Sequence, residues 1–220
     1  MMASPEEYYE YFLKDKSENE IRSIIRGLKN EIGHMKNVME HPEYGNEFMV
    51  NPSEDVQIIC NREYLETAKK ALTEIGATYQ PSKAEIKAEQ FQENLFNLGK
   101  IEFTIGGIFG GYSTYTVDLT GDIVLASRVT TFSKEATSHF IGAYDKPYMT
   151  QHFLSLLYDL HIGEWRSNYS TNRFGYVTLD GTEWKIKFHF NNGLKPIKFS
   201  GQNSYPYNFD RFCEYLCVEI

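Results

Sequence analysis

From Trp184 to Phe190 the chain alternates with a period of two. Trp184, Ile186, Phe188 and Phe190 are apolar, and Lys185, Lys187 and His189 between them are polar. Successive side chains of a strand point to opposite faces, so this spacing predicts a half-buried strand over 183–190. Asp180-Gly181 precedes the run and Asn192-Gly193 follows it. Both pairs accept positive φ at little cost and read as tight turns between antiparallel strands. Flanking strands at 174–179 and 195–200 complete a predicted three-strand meander. Phe209, Phe212, Cys213 and Leu216 then fall at i, i+3, i+4 and i+7, the apolar stripe of a closing helix.

The pattern of the first hundred residues has a helical period instead. Ser4-Pro5-Glu6-Glu7 combines a capping hydroxyl, a first-turn proline and acids at the positive end of the helix dipole. It predicts a short helix to Leu13. Ser17 and Glu20 form a capping box that opens the longest periodic segment. There Ile21, Ile25, Leu28, Ile32, Met35 and Met39 step by four and three, an a/d seam. Gly27 and Gly33 each weaken an isolated helix by about 1 kcal/mol relative to Ala. The seam therefore reads as packing on an antiparallel partner within the chain, with a coiled-coil dimer as the alternative. Val56 to Cys60 is a short apolar run, either a strand or a helix entry. A helix over 61–75, capped by Asn61, is stopped by Gly76. Ser82 and Glu85 make another capping box, opening a helix to Leu98 with Ile86, Phe91, Leu95 and Leu98 inward.

At Lys100 the composition turns β-branched and aromatic. Strands are predicted at 101–108, 111–119 and 123–132, followed by a looser stretch to Pro147. A helix over 149–161 follows, with Phe153, Leu156, Leu157 and Leu160 inward. The expected fold class is α+β: a helical N-terminal unit, 1–99, packed against an antiparallel β-sheet unit, 100–220. That sheet carries two helices on one face, in the order strand-strand-strand-helix twice.

Composition adds bounds. With 220 residues, 41% apolar and 15% aromatic, the chain can bury a core without disulfides. Cys60, Cys213 and Cys217 are odd in number and sit in apolar runs, which implies reduced thiols and a cytoplasmic location. Cys213 and Cys217 lack two further ligands at a metal spacing. The N-terminus has no signal-peptide core, and no stretch approaches the ~18 apolar residues of a membrane span. The net charge of −8 is uneven: −6 over residues 1–100, −4 over 101–164 and +2 over 165–220. An acidic surface repels phosphate backbones, so nucleic acid is not an expected partner, and neither is a membrane.

Candidate chemistry is sparse. Gly106-Gly107-Ile108-Phe109-Gly110-Gly111 is glycine-rich, but a strand follows it where a phosphate loop needs a helix N-terminus. It reads as a bulge or a close backbone approach. His34, His41, His139, His152, His161 and His189 show no metal spacing, and His152 is expected on the inner side of its helix. Glu102, Asp118, Asp180 and Glu183 lie on strands or turns with nothing to bring two together. No nucleophile motif is present, and no cofactor or metal is implied.

The stretch SGQNSYPYNFDRF, 200–212, is more specific. Asn203 suits a corner held by side-chain hydrogen bonds to backbone. Tyr205 and Tyr207, beside Trp165, Tyr169 and Trp184, offer the alternative of an aromatic recognition rim. The run W-x-I-x-F, a turn, a strand and then GxNxYPxNFDxF resembles the C-terminal signature of small uncharacterised bacterial proteins. It is carried by Trp184, Gly201, Asn203, Tyr205, Pro206, Phe209 and Asp210. The resemblance implies no activity and no catalytic residue.

The expected function is a non-enzymatic module that binds a protein or peptide. Its candidate surface comprises Trp165, Tyr169, Lys185, Lys187, His189, Asn203, Tyr205 and Tyr207. The alternatives are a small-molecule enzyme using a glycine-lined groove and sheet carboxylates, and an assembly protein dimerising through the 17–40 helix. A monomer is the expected state.

Overall fold

The computed structural model describes residues 3–46, 50–132, 135–178, 180–216 and 218, with backbone alone for 132 and 135–150. The fold is mixed α+β with a mostly antiparallel sheet. It divides into two compact units, Met1–Pro81 and Ser82–Ile220.

In the first unit, α1 (Pro5–Tyr8) runs into a π-helical turn, Tyr9–Leu13. The expected capping hydroxyl of Ser4 is part of a full capping box: Glu7 N donates to Ser4 Oγ, and Ser4 N donates to Glu7 Oε2. Helix α2 (Glu18–Met39) buries Ile21, Ile25, Leu28, Ile32 and Met35. The face opposite comes from α3 (Glu54–Glu74), which buries Ile58, Tyr64, Leu65, Ala68, Ala71 and Leu72. Arg22 near the start of α2 donates to the Thr78 carbonyl beyond the end of α3. Asn61 donates to Glu31 midway along both helices. The pair is therefore antiparallel, and the 17–40 seam is covered within the chain. The apolar run at 56–60 is helical. Ser53, and not Asn61, stands at the N-cap of α3, which leaves Asn61 buried in mid-helix.

The second unit begins one helix earlier than the shift in composition. Helix α4 (Lys83–Asn94) opens with the Ser82/Glu85 box. It places Phe91 edge-on to Phe188, with ring centroids 5.1 Å apart, so it belongs with the sheet and not with the first helices. Strands β1 (Leu98–Gly107), β2 (Gly111–Asp118), β3 (Ile123–Phe132) and β4 (Glu135–Asp145) form an antiparallel meander. Helix α5 (Lys146–Asp159) follows. Next come β5 (Asn168–Ser170), β6 (Glu183–Phe190), β7 (Ile197–Gln202) and α6 (Phe209–Tyr215). The sheet order is β4-β3-β2-β1-β6-β7-β5, with β5 parallel to β7 and every other pair antiparallel.

Two expectations fail here. Residues 174–179 form no strand among the described positions; a 3-10 turn, Thr171–Phe174, leads into irregular chain. Strand β6 already has β1 on one side and β7 on the other, so no ladder position remains beside it. The stretch after 132 is β4, not a loose connection. The first half is thus four strands and a helix, and the second is three.

One face of the sheet is apolar. Ile101, Phe103 and Ile105 of β1 stand beside Phe188, Ile186 and Trp184 of β6. Phe91 of α4, Leu157 of α5, Leu160 just after it, and Phe209 and Phe212 of α6 share one core with them. Cys213 lies in that core, and burial pushes its thiol up to about 12; such a thiol is inert. Cys217, the other member of the Cys213–Cys217 pair, lies outside the described residues.

Candidate functional site

Period-two alternation sends every second side chain of each strand to the other face of the sheet, and the strand register arranges these in rows. One row reads Ser170, Gln202, Glu183, then Gly106 and Tyr112, across β5, β7, β6, β1 and β2. The next reads Asn168, Ser200, Lys185, Thr104 and Thr114. A third reads Lys198, Lys187, Glu102 and Thr116. This face is polar throughout the three rows.

Except for Gly106 and Thr114, the first two rows line a groove of about 450 Å³, with Tyr169, Trp184 and Gly201 also at its wall, a size that accommodates small ligands and short peptide segments. Tyr112 Oη donates to Glu183 Oε2 at 3.2 Å. Ser200 Oγ donates to Asn168 Oδ1 at 3.2 Å, and the Thr104 and Thr114 hydroxyls lie 2.9 Å apart. Lys185 is exposed at the centre and makes no ion pair among the described residues. The lining supplies one ammonium, one carboxylate and several neutral hydrogen-bonding groups; it includes no histidine and no cysteine.

Beside the groove, Glu102 gathers three partners. Its carboxylate lies 2.7 Å from Lys100 Nζ, 3.3 Å from Lys187 Nζ and 3.1 Å from His189 Nε2. The hydrogen bond from Lys100, aided by those from His189 and Lys187, holds the Glu102 carboxyl at about 2 against an ordinary 4.5. Its folded pKa lies below its unfolded one. The stabilisation is therefore complete above about 4.5 and is lost as pH falls toward 2. Urea unfolding of wild type and Glu102→Gln checks this: the variant's deficit at pH 7 should shrink by pH 3. An equal deficit at both pH values would mean that the charge does not stabilise the fold.

The structure separates the expected surface into two groups. Lys185, Lys187 and His189 stand together on the polar face. Trp165, Tyr169 and Trp184 do not form a rim: they are 4%, 2% and 2% exposed. Trp165 Nε1 donates to Asn208 Oδ1, Trp184 Nε1 donates to the Ser204 carbonyl, and Arg166 N donates to Tyr169 Oη. Their polar tips are held by the protein itself. Tyr205 stacks near Trp184 and Phe209, and burial raises its pKa. Tyr207 is half-buried. Asn203 is a corner residue. At φ +48 it receives the Thr182 N–H on Oδ1 at 2.8 Å and donates Nδ2 to the Asp180 carbonyl at 2.9 Å. A Cβ on Gly181 would collide with that amide.

The glycine run 106–111 is a hairpin turn with a close approach. Gly111 has φ +74, and a Cβ on Gly107 would stand 2.6 Å from the Gly181 carbonyl oxygen. His152 is exposed, not on the inner side of its helix. Of the four carboxylates on strands or turns, Glu102, Asp118 and Glu183 fall on the polar face by register, in different rows.

Sequence reasoning missed Thr104, Tyr112, Ser200 and Gln202, and it missed the gathering of Lys100, Lys187 and His189 on Glu102. The alternation in β1 and β7 contained the signal for their facing; only the pairing of β1 with β6 brings them together. Among the described residues no group of three or more histidine, cysteine or acidic side chains is placed to hold a metal ion. No described helix is long and apolar enough to cross a membrane. No protein-family model matches this chain, and neither any curated protein nor any solved structure is similar enough to it to count as a match.

Proposed function

We propose that this chain is a binding module whose polar sheet face takes an extended, acidic peptide segment of a partner protein. The observation that carries the reading is the continuous row Asn168, Ser200, Lys185, Thr104 and Thr114. Neighbouring strands are about 4.8 Å apart, so the row spans about 19 Å, the reach of about six extended residues. Hydroxyl and amide groups along it suit a peptide backbone, and Lys185 at its centre suits a carboxylate. Exposed Lys198 in the next row adds to the positive field, as does the +2 charge of residues 165–220. Phe91 of α4, Leu157 of α5 and Phe209 and Phe212 of α6 pack on the opposite, apolar face, so the polar face is the one available for recognition in this reading.

Lys187 and His189 contribute through Glu102 and not as separate contacts, so Lys185 is the residue to change. A displayed library of random short peptides, panned on immobilised protein, should enrich acidic sequences on wild type. Lys185→Glu, an exposed change that leaves the core intact, should lose that enrichment. Failure of the wild type to enrich any sequence, or the same sequences on both proteins, would remove the proposal.

A further inference from the structure

The apolar face of the sheet changes character at β3. The row Ile105, Ser113 and Thr130, and the row Phe103, Tyr115 and Arg128, both run from aliphatic or aromatic residues in β1 to polar ones in β3. Arg128 is half-buried there. Its guanidinium carbon stands 5.3 Å from the centroid of the Tyr115 ring, and that ring lies 6.1 Å from Phe103 in the core. Arg128 Nε donates to Thr130 Oγ1 at 3.2 Å and Nη2 donates to Ser113 Oγ at 3.3 Å. The two hydroxyls are themselves 3.1 Å apart.

A guanidinium has five N–H donors and no acceptor. Two are directed to neutral hydroxyls, and among the described residues no carboxylate pairs with the charge. A partly desolvated cation is normally matched by an anion. Here the aromatic plane and two hydroxyls fix its orientation, while no acceptor for Nη1 is found among the described residues. The two hydroxyls share one hydrogen bond, in which either can be the donor. The arrangement is a planar fork beside two hydroxyls, the geometry that receives two oxygens of a carboxylate or phosphate.

We infer that Arg128, Ser113 and Thr130 form an oxyanion-binding site on the Tyr115 ring, on the face of the sheet opposite the peptide groove. It takes a carboxylate or phosphate group and stands independently of the proposed peptide recognition. The unspent donors and the preset guanidinium plane supply the recognition.

The probes are inorganic phosphate and acetate, each titrated against sodium chloride at matched ionic strength. In wild type labelled with 15N, the Arg128 Nε resonance should move saturably with at least one of them and stay unmoved by chloride. The melting temperature should rise with the same anion. Arg128→Gln should abolish the rise, and Arg128→Lys, which keeps charge without the fork, should weaken binding about tenfold. Should Arg128→Gln fail to fold, Ser113→Ala serves as the second variant and should weaken binding severalfold. Saturation by phosphate but not acetate assigns the site to phosphate groups, and the reverse assigns it to carboxylates. An unmoved Arg128 resonance with both anions, or equal melting shifts in wild type and Arg128→Gln, overturns the inference. Neither result bears on peptide enrichment at Lys185.

Discussion

Replacing Trp184 with alanine should destabilise the second unit by about 3–5 kcal/mol, the range for removing a large buried aromatic from a core. Trp184 is 2% exposed. Its ring centroid lies 4.7 Å from Phe209, 5.8 Å from Tyr169 and 6.4 Å from Tyr205. The indole N–H donates to the Ser204 carbonyl at 2.9 Å. Gly201 is shaped around it: a Cβ there would stand 2.5 Å from Trp184 Nε1 and 2.6 Å from the Ser204 oxygen. The hole left by alanine cannot close by a small shift, because strand β7 and the 203–208 corner are both fitted to the indole. Equilibrium unfolding in urea, followed by circular dichroism, measures the loss. A loss under about 1 kcal/mol would mean that the ring is not packed as described. Trp184→Phe separates the two contributions, since it keeps most of the apolar contact and leaves the Ser204 carbonyl without its donor.

Asn208→Ala should cost about 2–6 kcal/mol, since it strands two buried polar groups at about 1–3 kcal/mol each. Asn208 is 8% exposed. Its Oδ1 accepts from Trp165 Nε1 at 2.9 Å, and its Nδ2 donates to the Leu160 carbonyl at 2.7 Å. One amide thus joins the end of α5, the turn carrying Trp165 and the start of α6. Asn208→Asp keeps an acceptor for the indole but has no donor for Leu160, and it buries a charge, so it should be no milder than alanine. In a double-mutant cycle, Asn208→Ala and Trp165→Phe should show coupling of about 0.5–3 kcal/mol. Additive losses would show that the bond between them contributes nothing.

These two residues show why the aromatic loop misleads when read along the chain. Trp165, Tyr169, Trp184 and Tyr205 each have an apolar body and a polar tip, the composition of a recognition rim and equally of a wetted core corner. What distinguishes the two is whether a backbone or amide partner meets the tip. Arg166 meets Tyr169 from three residues away, but Ser204 and Asn208 become neighbours of the tryptophans only after the sheet is assembled. The polar face was more legible. Lys185, Lys187 and His189 share a strand face by spacing alone, but the identity of Glu102 as the common neighbour of Lys187 and His189 depends on β1 pairing with β6 across more than eighty residues of sequence.

Local pattern by itself determined the elements whose periodicity is long or whose ends are chemically marked. These are the helix starts at Ser4, Ser17 and Ser82, the a/d seam of α2, the alternation of β6 and the stripe of α6. Each is a relation between residues a few positions apart, so the chain carries it without help. Tertiary structure alone decided which strands are neighbours, that α4 joins the sheet unit, that α3 covers the seam, and that 174–178 is left outside the sheet. It also made β5 a parallel edge strand, a choice that three residues are too few to announce. Pairing depends on competition among distant segments for a limited set of ladder positions and apolar surfaces. That competition is resolved by total burial and hydrogen bonding, which no short window of sequence contains.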